Sequence, residues 1–175
     1  EKTYQRRRFW QADDFNVQRE GSRIIILFNF MTFFSKQEIG QRLELLKGVI
    51  VKLRECGKSS KKEFIEDFKI SDSAIRNLIL GSEIVTDIGN HILAEAFQAH
   101  PKEYSEVIIL LGDTGVIDKK FATENANMAK FRNLLVHEYI KIDLDKVYDY
   151  LQKAPEILAE FARYFVEFID RAKAE

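Results

Sequence analysis

Apolar residues recur at spacings of three and four along most of the chain, which predicts helices rather than strands. The first stripe stops at Gly57 and has five members: Ile39, Leu43, Leu46, Ile50 and Leu53. Ser35, followed three residues later by Glu38, predicts a capping box at the start of this helix. Because helical stripes occur without alternating strand patterns, we expect an all-α bundle.

Four further helices are predicted after Gly57, the first preceded by a short segment that a capping box at Ser60 and Glu63 opens. The long helix covers about 71–99, with eight inward residues: Ile75, Leu78, Ile79, Val85, Ile88, Ile92, Leu93 and Ala96. The next covers about 101–115, and a fourth continues from about 118 into the segment FRNLLVHEY at 131–139. The fifth begins near 143, with a kink or restart near Ala154 because Pro155 interrupts the helical pattern.

Length and composition indicate one globular domain, since 175 residues with 46% hydrophobic and 31% charged residues suffice for a sizeable core. Eight Gly and two Pro disfavour a turn-rich β-sandwich. The formal net charge of −1 excludes a strongly basic domain of the kind that binds nucleic acid over its whole surface. Any contact with RNA therefore has to be local.

The single cysteine, Cys56, leaves no internal disulfide and no cysteine cluster for zinc, so the chain fits a reducing compartment, and we expect the cytoplasm. The apolar stretch RIIILFNFMTFF at 23–34 is shorter than the ~20 residues that a membrane helix needs, and Asn29 and Thr32 interrupt it. The acidic residues that precede this stretch also argue against a signal peptide, whose apolar segment normally follows a basic one. No membrane partner is expected.

The segment FRNLLVHEY is the main candidate for chemistry. It places Arg132, Asn133, His137 and Tyr139 around an apolar LLV that we expect to anchor the turn on the core. A single histidine near a helix end is more often structural than catalytic. Here, however, Asn133 lies four residues before His137 on the same predicted helix face, where its amide can orient the imidazole.

A cation, an amide, an imidazole and a phenol together suit phosphate chemistry. Cleaving RNA through its own 2′-hydroxyl requires a base, an acid and positive charge on the phosphorane, and it requires no metal. His137 supplies only one imidazole, as base or acid, with water or another group completing the reaction. Two copies related by a two-fold axis would supply both groups, so a homodimer fits this segment.

The segment 132–139, RNLLVHEY, matches the R-x-x-x-x-H-x-Y pattern of HEPN-domain ribonucleases, and it resembles specifically the HepT toxin family. The stretches IRNLILGSEIVTDIGNHILAE, PKEYSEVIILLGDTGVI and IDLDKVYDYL resemble the family's second helix, its middle section and the sequence after its motif. The resemblance covers about 36–172. It implies a HEPN-type antiparallel bundle of about five helices over 35–175.

The resemblance also implies a function, namely that of a metal-independent endoribonuclease acting as the toxin of a toxin–antitoxin pair. Arg132 and His137 would be the catalytic pair and Asn133 their polar companion. Tyr139 would be the residue to which a MntA-type nucleotidyltransferase partner adds AMP. The family further implies a homodimer with RNA as substrate and no cofactor.

A second constellation consists of Glu83, Asp87 and His91, at four-residue steps on the long helix. A carboxylate–carboxylate–imidazole ladder can bind a divalent metal or support the catalytic groups beside it. The alternative is an ordinary solvated helix face, on which such ladders are common. We expect no metal here, and give Glu83 and Asp87 a supporting role beside the motif as the sharper hypothesis.

Residues 1–34 precede the resemblance, and we interpret them as an N-terminal extension. Within it, residues 1–30 are either an accessory arm or a segment upstream of a natural start at Met31. The triplet Arg6, Arg7 and Arg8 within it is better explained as a solvated arm than as a phosphate-binding patch. Two rival functions stay open. One is a non-catalytic HEPN interaction module that binds a nucleotidyltransferase or a nucleotide, and the other is an all-α scaffold in which the motif merely ends a helix.

Overall fold

The computed structural model of the chain describes residues 33–138, 140 and 142–171. Within these residues it contains eight α-helices and no β-strand, so the predicted all-α class is confirmed. The helices are α1 (Phe33–Cys56), α2 (Lys61–Glu66), α3 (Phe68–Phe97), α4 (Tyr104–Asp113), α5 (Lys119–Asn125), α6 (Met128–His137), α7 (Leu144–Leu151) and α8 (Ala154–Arg171).

The helix starts in the first half of the chain differ from the prediction at one position. Helix α1 already includes Ser35, so Ser35 is not its N-cap and the predicted capping box there is wrong. The box at the start of α2 is confirmed, because the Glu63 amide donates to Ser60 Oγ at 3.3 Å and the Ser60 amide donates to Glu63 Oε2 at 2.8 Å. Asp67 Oδ1 then accepts from the Lys69 amide at 2.9 Å and starts α3.

The second half of the chain is more segmented than the prediction. The single helix predicted from about 118 is in fact two helices, α5 and α6, separated by a turn at Ala126 and Asn127. Asn125 Nδ2 donates to the carbonyl of Phe121 at 2.9 Å, and asparagine side chains bonded to the local backbone compete with continued helix. The predicted restart at Ala154 is confirmed, with Pro155 in the first turn of α8. Backbone N–H groups in the first turn have no acceptor within the helix, so the N–H that proline lacks is not needed there.

Helix α3 is the centre of the bundle and packs against α1, α4, α6 and α8. The approach of α1 and α8 depends on Gly81, whose missing side chain would otherwise meet Leu158 Cδ1 at 2.7 Å and Val49 Cγ1 at 3.3 Å. Arg54, at the end of α1, bonds Glu156, at the start of α8, as expected for neighbours that run in opposite directions. The core is rich in aromatic residues on α8, including the fully buried Phe161, Phe165 and Phe168.

The outer face of α3 departs from the predicted inward stripe. Ile75 and Ile79, which the pattern assigns to the core, are only half-buried. Together with four other α3 residues they line a cleft of about 390 Å³ that opens to solvent; the other four are Asp72, Arg76, Leu80 and Glu83. The helical period identifies an apolar face correctly but does not reveal that this helix has apolar residues on two faces.

The predicted N-terminal extension lies outside the described residues except for its last two positions. The arginine triplet at 6–8 therefore also lies outside them. None of the helices in the described part combines the length and apolar character that crossing a bilayer requires.

Candidate active site

Arg132 lies where α3, α4 and α6 meet, and each of these helices contributes a contact. Its Nη2 donates to Glu83 Oε1 of α3, and its Nη1 donates to Asn133 Oδ1 at 3.2 Å. The ring of Tyr104, the first residue of α4, lies against the guanidinium with 4.9 Å between Cζ and the ring centroid. Only 12% of the Arg132 side chain is exposed, so its charge is held in a partly desolvated position.

The sequence of α6 explains why Arg132 is held firmly. Met128, Ala129 and Leu135 are buried and fix one face of the helix on the core. Phe131, next to Arg132, packs on Tyr150 of α7 with ring centroids 4.6 Å apart. Burial raises the pKa of Tyr150 to about 12, so this phenol stays neutral beside the site.

The apolar triplet LLV contributes less to this anchoring than predicted. Leu135 is buried and Leu134 packs partly against the core, but Val136 is exposed. Three consecutive positions on a helix point in directions about 100° apart, so one of them has to face away from the core.

Glu83 is placed by an unusually polar stretch of α3. Its neighbours Ser82 and Thr86 are buried, yet both hydroxyls are satisfied because they donate to carbonyls one turn earlier, at 2.9 and 3.0 Å. Glu83 is left to project outward, where its carboxylate balances the charge of Arg132. Because Arg132 is the more buried partner, removal of Glu83 would leave a largely buried charge without its carboxylate.

The donors of Arg132 are only partly used. A guanidinium carries five N–H groups, and Glu83 and Asn133 accept from one nitrogen each. The Nε atom is buried and has no hydrogen-bond partner among the described residues. One N–H also remains on each of the two terminal nitrogens, so the guanidinium has donors left for an anionic ligand such as a phosphate.

His137 is the last residue of α6 and its side chain is exposed. It makes no hydrogen bond with any described residue, so the expected contact with Asn133 is absent; Asn133 bonds Arg132 instead. Helix α6 ends one residue before Glu138, whose amide donates to the Leu134 carbonyl at 3.0 Å. Tyr139 lies outside the described residues.

The ladder on α3 is divided by the structure. Glu83 joins the site, whereas Asp87, one turn later, is exposed and makes no ion pair with a described residue. His91 lies one turn further, and its Nε2 is buried without a hydrogen-bond partner in the described part of the chain. No group of three or more His, Cys, Asp or Glu within the described ranges is arranged to hold a metal ion.

Tyr104 is the contact of this site that sequence reasoning missed. It lies 28 residues before Arg132, on a different helix, in the sequence PKEYSEV, which has no motif of its own. A useful signal would have been that Tyr104 is the one aromatic residue of this helix and stands at its exposed start. Neither observation identifies its partner, because the contact exists only after α4 and α6 pack on α3.

Comparison with known proteins assigns the chain to a family. The family model described as Ribonuclease HepT-like matches residues 46–165, more than half of the chain. The chain is a member of the HepT-like ribonuclease family. Among curated relatives of this HepT-like chain, the mRNA nuclease HepT of Shewanella oneidensis is 32% identical over 113 residues, which are 65% of this chain and 80% of the relative.

Two further comparisons agree with this assignment to the HepT-like family. The tRNA nuclease HepT of Aphanizomenon flos-aquae is 29% identical over 118 residues, which cover 67% of this chain and 80% of that protein. A solved structure of the tri-AMPylated Shewanella oneidensis HEPN toxin in complex with MNT antitoxin superposes with a TM-score of 0.64. It is 28% identical, and the match covers 83% of this chain and all of the toxin chain.

Proposed function

We propose that this HepT-like protein is an endoribonuclease, the toxin of a toxin–antitoxin pair, and that Arg132 and His137 carry its chemistry. The observation that carries the proposal is the guanidinium of Arg132, which contacts three helices, keeps N–H groups without a partner among the described residues, and lies five residues before an exposed imidazole. The curated relatives named as mRNA and tRNA nucleases support RNA as the substrate class.

The reaction that fits these groups is an internal phosphoryl transfer. The ribose 2′-oxygen attacks the adjacent phosphorus while a base removes the hydroxyl proton. The bond between phosphorus and the 5′-oxygen breaks, and an acid protonates that oxygen. The products are a 2′,3′-cyclic phosphate and a 5′-hydroxyl, and no metal enters the balance. His137 acts as base or acid, and Arg132 stabilises the charge that develops on the phosphorane oxygens.

We propose that two copies of the chain form the working unit, because one imidazole serves only one of the two proton transfers. The half-buried Ile75 and Ile79 and the cleft around them lie on the outer face of α3, continuous with Glu83 and thus with the site. We expect Ile79→Asp to reduce the mass measured by light scattering to that of one chain. The exposed Leu45 of α1 offers the matched control Leu45→Asp, which should leave the mass unchanged. Equal masses for all three proteins would contradict this interface.

We propose Tyr139 as the regulatory residue, to which a MNT-type nucleotidyltransferase transfers AMP. The AMPylated toxin complexed with its MNT antitoxin supports this, since the match covers all of that toxin chain and 83% of the present chain. An added AMP two residues after His137 brings bulk and negative charge to the place where the RNA phosphate has to bind, so sterics and like-charge repulsion both oppose cleavage. When the protein is incubated with labelled ATP and the partner enzyme, the wild type should incorporate labelled AMP and Tyr139→Phe should not.

The catalytic assignment is tested by cleavage of labelled RNA with purified His137→Ala. We expect loss of cleavage by at least about a hundredfold, because general acid–base catalysis contributes about 10²–10⁴-fold. His100, an exposed histidine between α3 and α4, gives the control His100→Ala, which should cut at the wild-type rate. If His137→Ala cuts as fast as His100→Ala, the chain is better explained as a non-catalytic interaction module.

A further inference from the structure

Tyr104 differs from the other residues of the first half of α4 in what its side chain does. Val107 and Ile108 are buried in the core, whereas Tyr104 keeps 36% of its surface exposed. Its hydroxyl makes no hydrogen bond with a described residue, and within the described ranges its ring contact is with the guanidinium of Arg132. The ring therefore contributes little to the core and a great deal to the surroundings of one cation.

The geometry of the contact suits orientation of the guanidinium. A cation within about 6 Å of an aromatic centroid is attracted by the electron density of the ring face, and here Arg132 Cζ lies at 4.9 Å. The hydrogen bonds to Glu83 and Asn133 act in the plane of the guanidinium, at its edge. The Tyr104 ring adds a further contact at the central carbon and uses none of the N–H groups that a phosphate requires.

The backbone around Tyr104 is built to bring the ring close. Gly89 of α3 faces α4, and a Cβ there would lie 2.8 Å from both Val107 Cγ1 and Leu111 Cδ1. Because glycine leaves this space open, α4 approaches α3 closely, one turn after Tyr104. Helix α6 also packs on α3, so the Tyr104 ring of α4 comes within reach of Arg132 on α6.

We propose that Tyr104 is a positioning residue of the ribonuclease site, whose ring holds the Arg132 guanidinium in the orientation that meets the scissile phosphate. This inference rests on the proposed function, since it assigns Tyr104 a role through Arg132. It predicts that the aromatic ring matters and that the hydroxyl does not. It also predicts an effect on the chemical step, because the guanidinium is needed most when charge develops on the phosphorane.

The experiment compares single-turnover and steady-state RNA cleavage by Tyr104→Leu and Tyr104→Phe. Tyr104→Leu should lower kcat about tenfold with KM little changed, since a desolvated cation–π contact is worth roughly that factor. Tyr104→Phe should stay within about twofold of wild type. A matched control is Tyr164→Leu, which removes a ring lying 4.4 Å from Arg163 Cζ on α8 and should leave kcat unchanged. A raised KM at constant kcat, or a Phe variant as slow as the Leu variant, would overturn the proposal.

A double-mutant cycle separates positioning from a general loss of structure. In an Arg132→Ala background Tyr104→Leu should have no further effect on kcat, because the group it orients is gone. An equal loss in both backgrounds would show that Tyr104 acts without Arg132 and would overturn the proposal. If Arg132→Ala alone cuts at the wild-type rate, the proposed function fails instead, and the two failures are thereby distinguished.

Discussion

Two arginines in this molecule have nearly the same surroundings, Arg132 on α6 and Arg163 on α8. Their side chains are 12% and 13% exposed, and each pairs with glutamate and lies against a tyrosine ring. They differ in where the partners come from. Arg163 bonds Glu160 and Glu167, three residues before it and four after it, and stacks on the adjacent Tyr164. The partners of Arg132 come from three helices.

This difference separates a structural cluster from a candidate site. The hydrogen bonds that Arg163 donates to Glu160, reinforced by the charges of Glu160 and Glu167, raise the pKa of Arg163 further above its ordinary value. Arg163 donates to two carboxylates from all three of its nitrogens, whereas Arg132 faces one carboxylate and one neutral amide, and its Nε has no hydrogen-bond partner among the described residues. A cation that the fold positions but does not saturate is available to an anionic substrate.

The largest effect is expected from removing each arginine in turn. Arg132→Ala should reduce RNA cleavage by at least about a hundredfold, because loss of one preorganised charge-stabilising group commonly costs 10²–10³ in kcat. Arg163→Ala should lower the free energy of unfolding by about 1–2 kcal/mol and leave cleavage within about twofold. RNA cleavage assays and chemical denaturation of both variants measure these two effects. Equal losses of cleavage would remove the distinction between the two clusters.

A second prediction concerns how α6 is held through Phe131 and Tyr150. The pKa of Tyr150 is about 12 in the folded protein and about 10 in the unfolded chain, so between these values the unfolded state loses its proton first. The contribution of Tyr150 to the free energy of unfolding is therefore fully present below pH 10, and about 2–3 kcal/mol of it is lost as the pH rises to 12. Denaturation at several pH values should show a shallower fall for Tyr150→Phe. Identical slopes would contradict the burial of this phenol.

A third prediction uses two glycines with opposite surroundings. Gly89→Ala forces a Cβ to within 2.8 Å of two α4 side chains, so we expect a loss of about 1–3 kcal/mol in stability and slower cleavage as Tyr104 moves from Arg132. Gly48→Ala on the exposed face of α1 meets nothing within 4 Å and should stabilise the protein by about 0.5–1 kcal/mol. Thermal denaturation measures both, and a stabilising Gly89→Ala would show that α4 packs differently.

The smallest effect is expected at the carboxylates. Glu83→Ala frees the Arg132 guanidinium from its in-plane partner on α3, and we expect kcat to fall about tenfold because the reacting geometry loosens. Glu160→Ala removes the equivalent partner of Arg163 and should leave kcat unchanged. The assay is steady-state cleavage under saturating RNA. Faster cleavage by Glu83→Ala would mean that Glu83 restrains the site by competing with phosphate for Arg132.

Local regularities explain what could be predicted from the sequence. The all-α class, the capping box at Ser60 and the restart at Ala154 follow from patterns within a few residues of one another. The break between α5 and α6 was missed because residues 118–137 have no proline or glycine to mark it. The local signal there is the Asn125 side chain, which donates to the Phe121 carbonyl just before the turn. Ser35 failed as a cap because a capping pattern can also occur inside a helix.

The candidate site was predictable only in part. Arg132, Asn133 and His137 belong to one short motif, and Glu83 belongs to a charged ladder whose spacing was visible. Spacing alone could not choose between Glu83 and Asp87, since both project from one face of α3 and only the position of α6 decides which carboxylate meets Arg132. Tyr104 was beyond reach for the same reason.

We propose above that this chain cuts RNA through the ribose 2′-hydroxyl by means of Arg132 and His137. The most direct measurement is the chemical identity of the ends produced when purified protein cuts a defined RNA in excess EDTA. We expect 2′,3′-cyclic phosphate and 5′-hydroxyl ends, and no cutting where the ribose at the cut position is replaced by 2′-deoxyribose. Products with 3′-hydroxyl and 5′-phosphate ends, or cleavage that stops when EDTA is added, would contradict it.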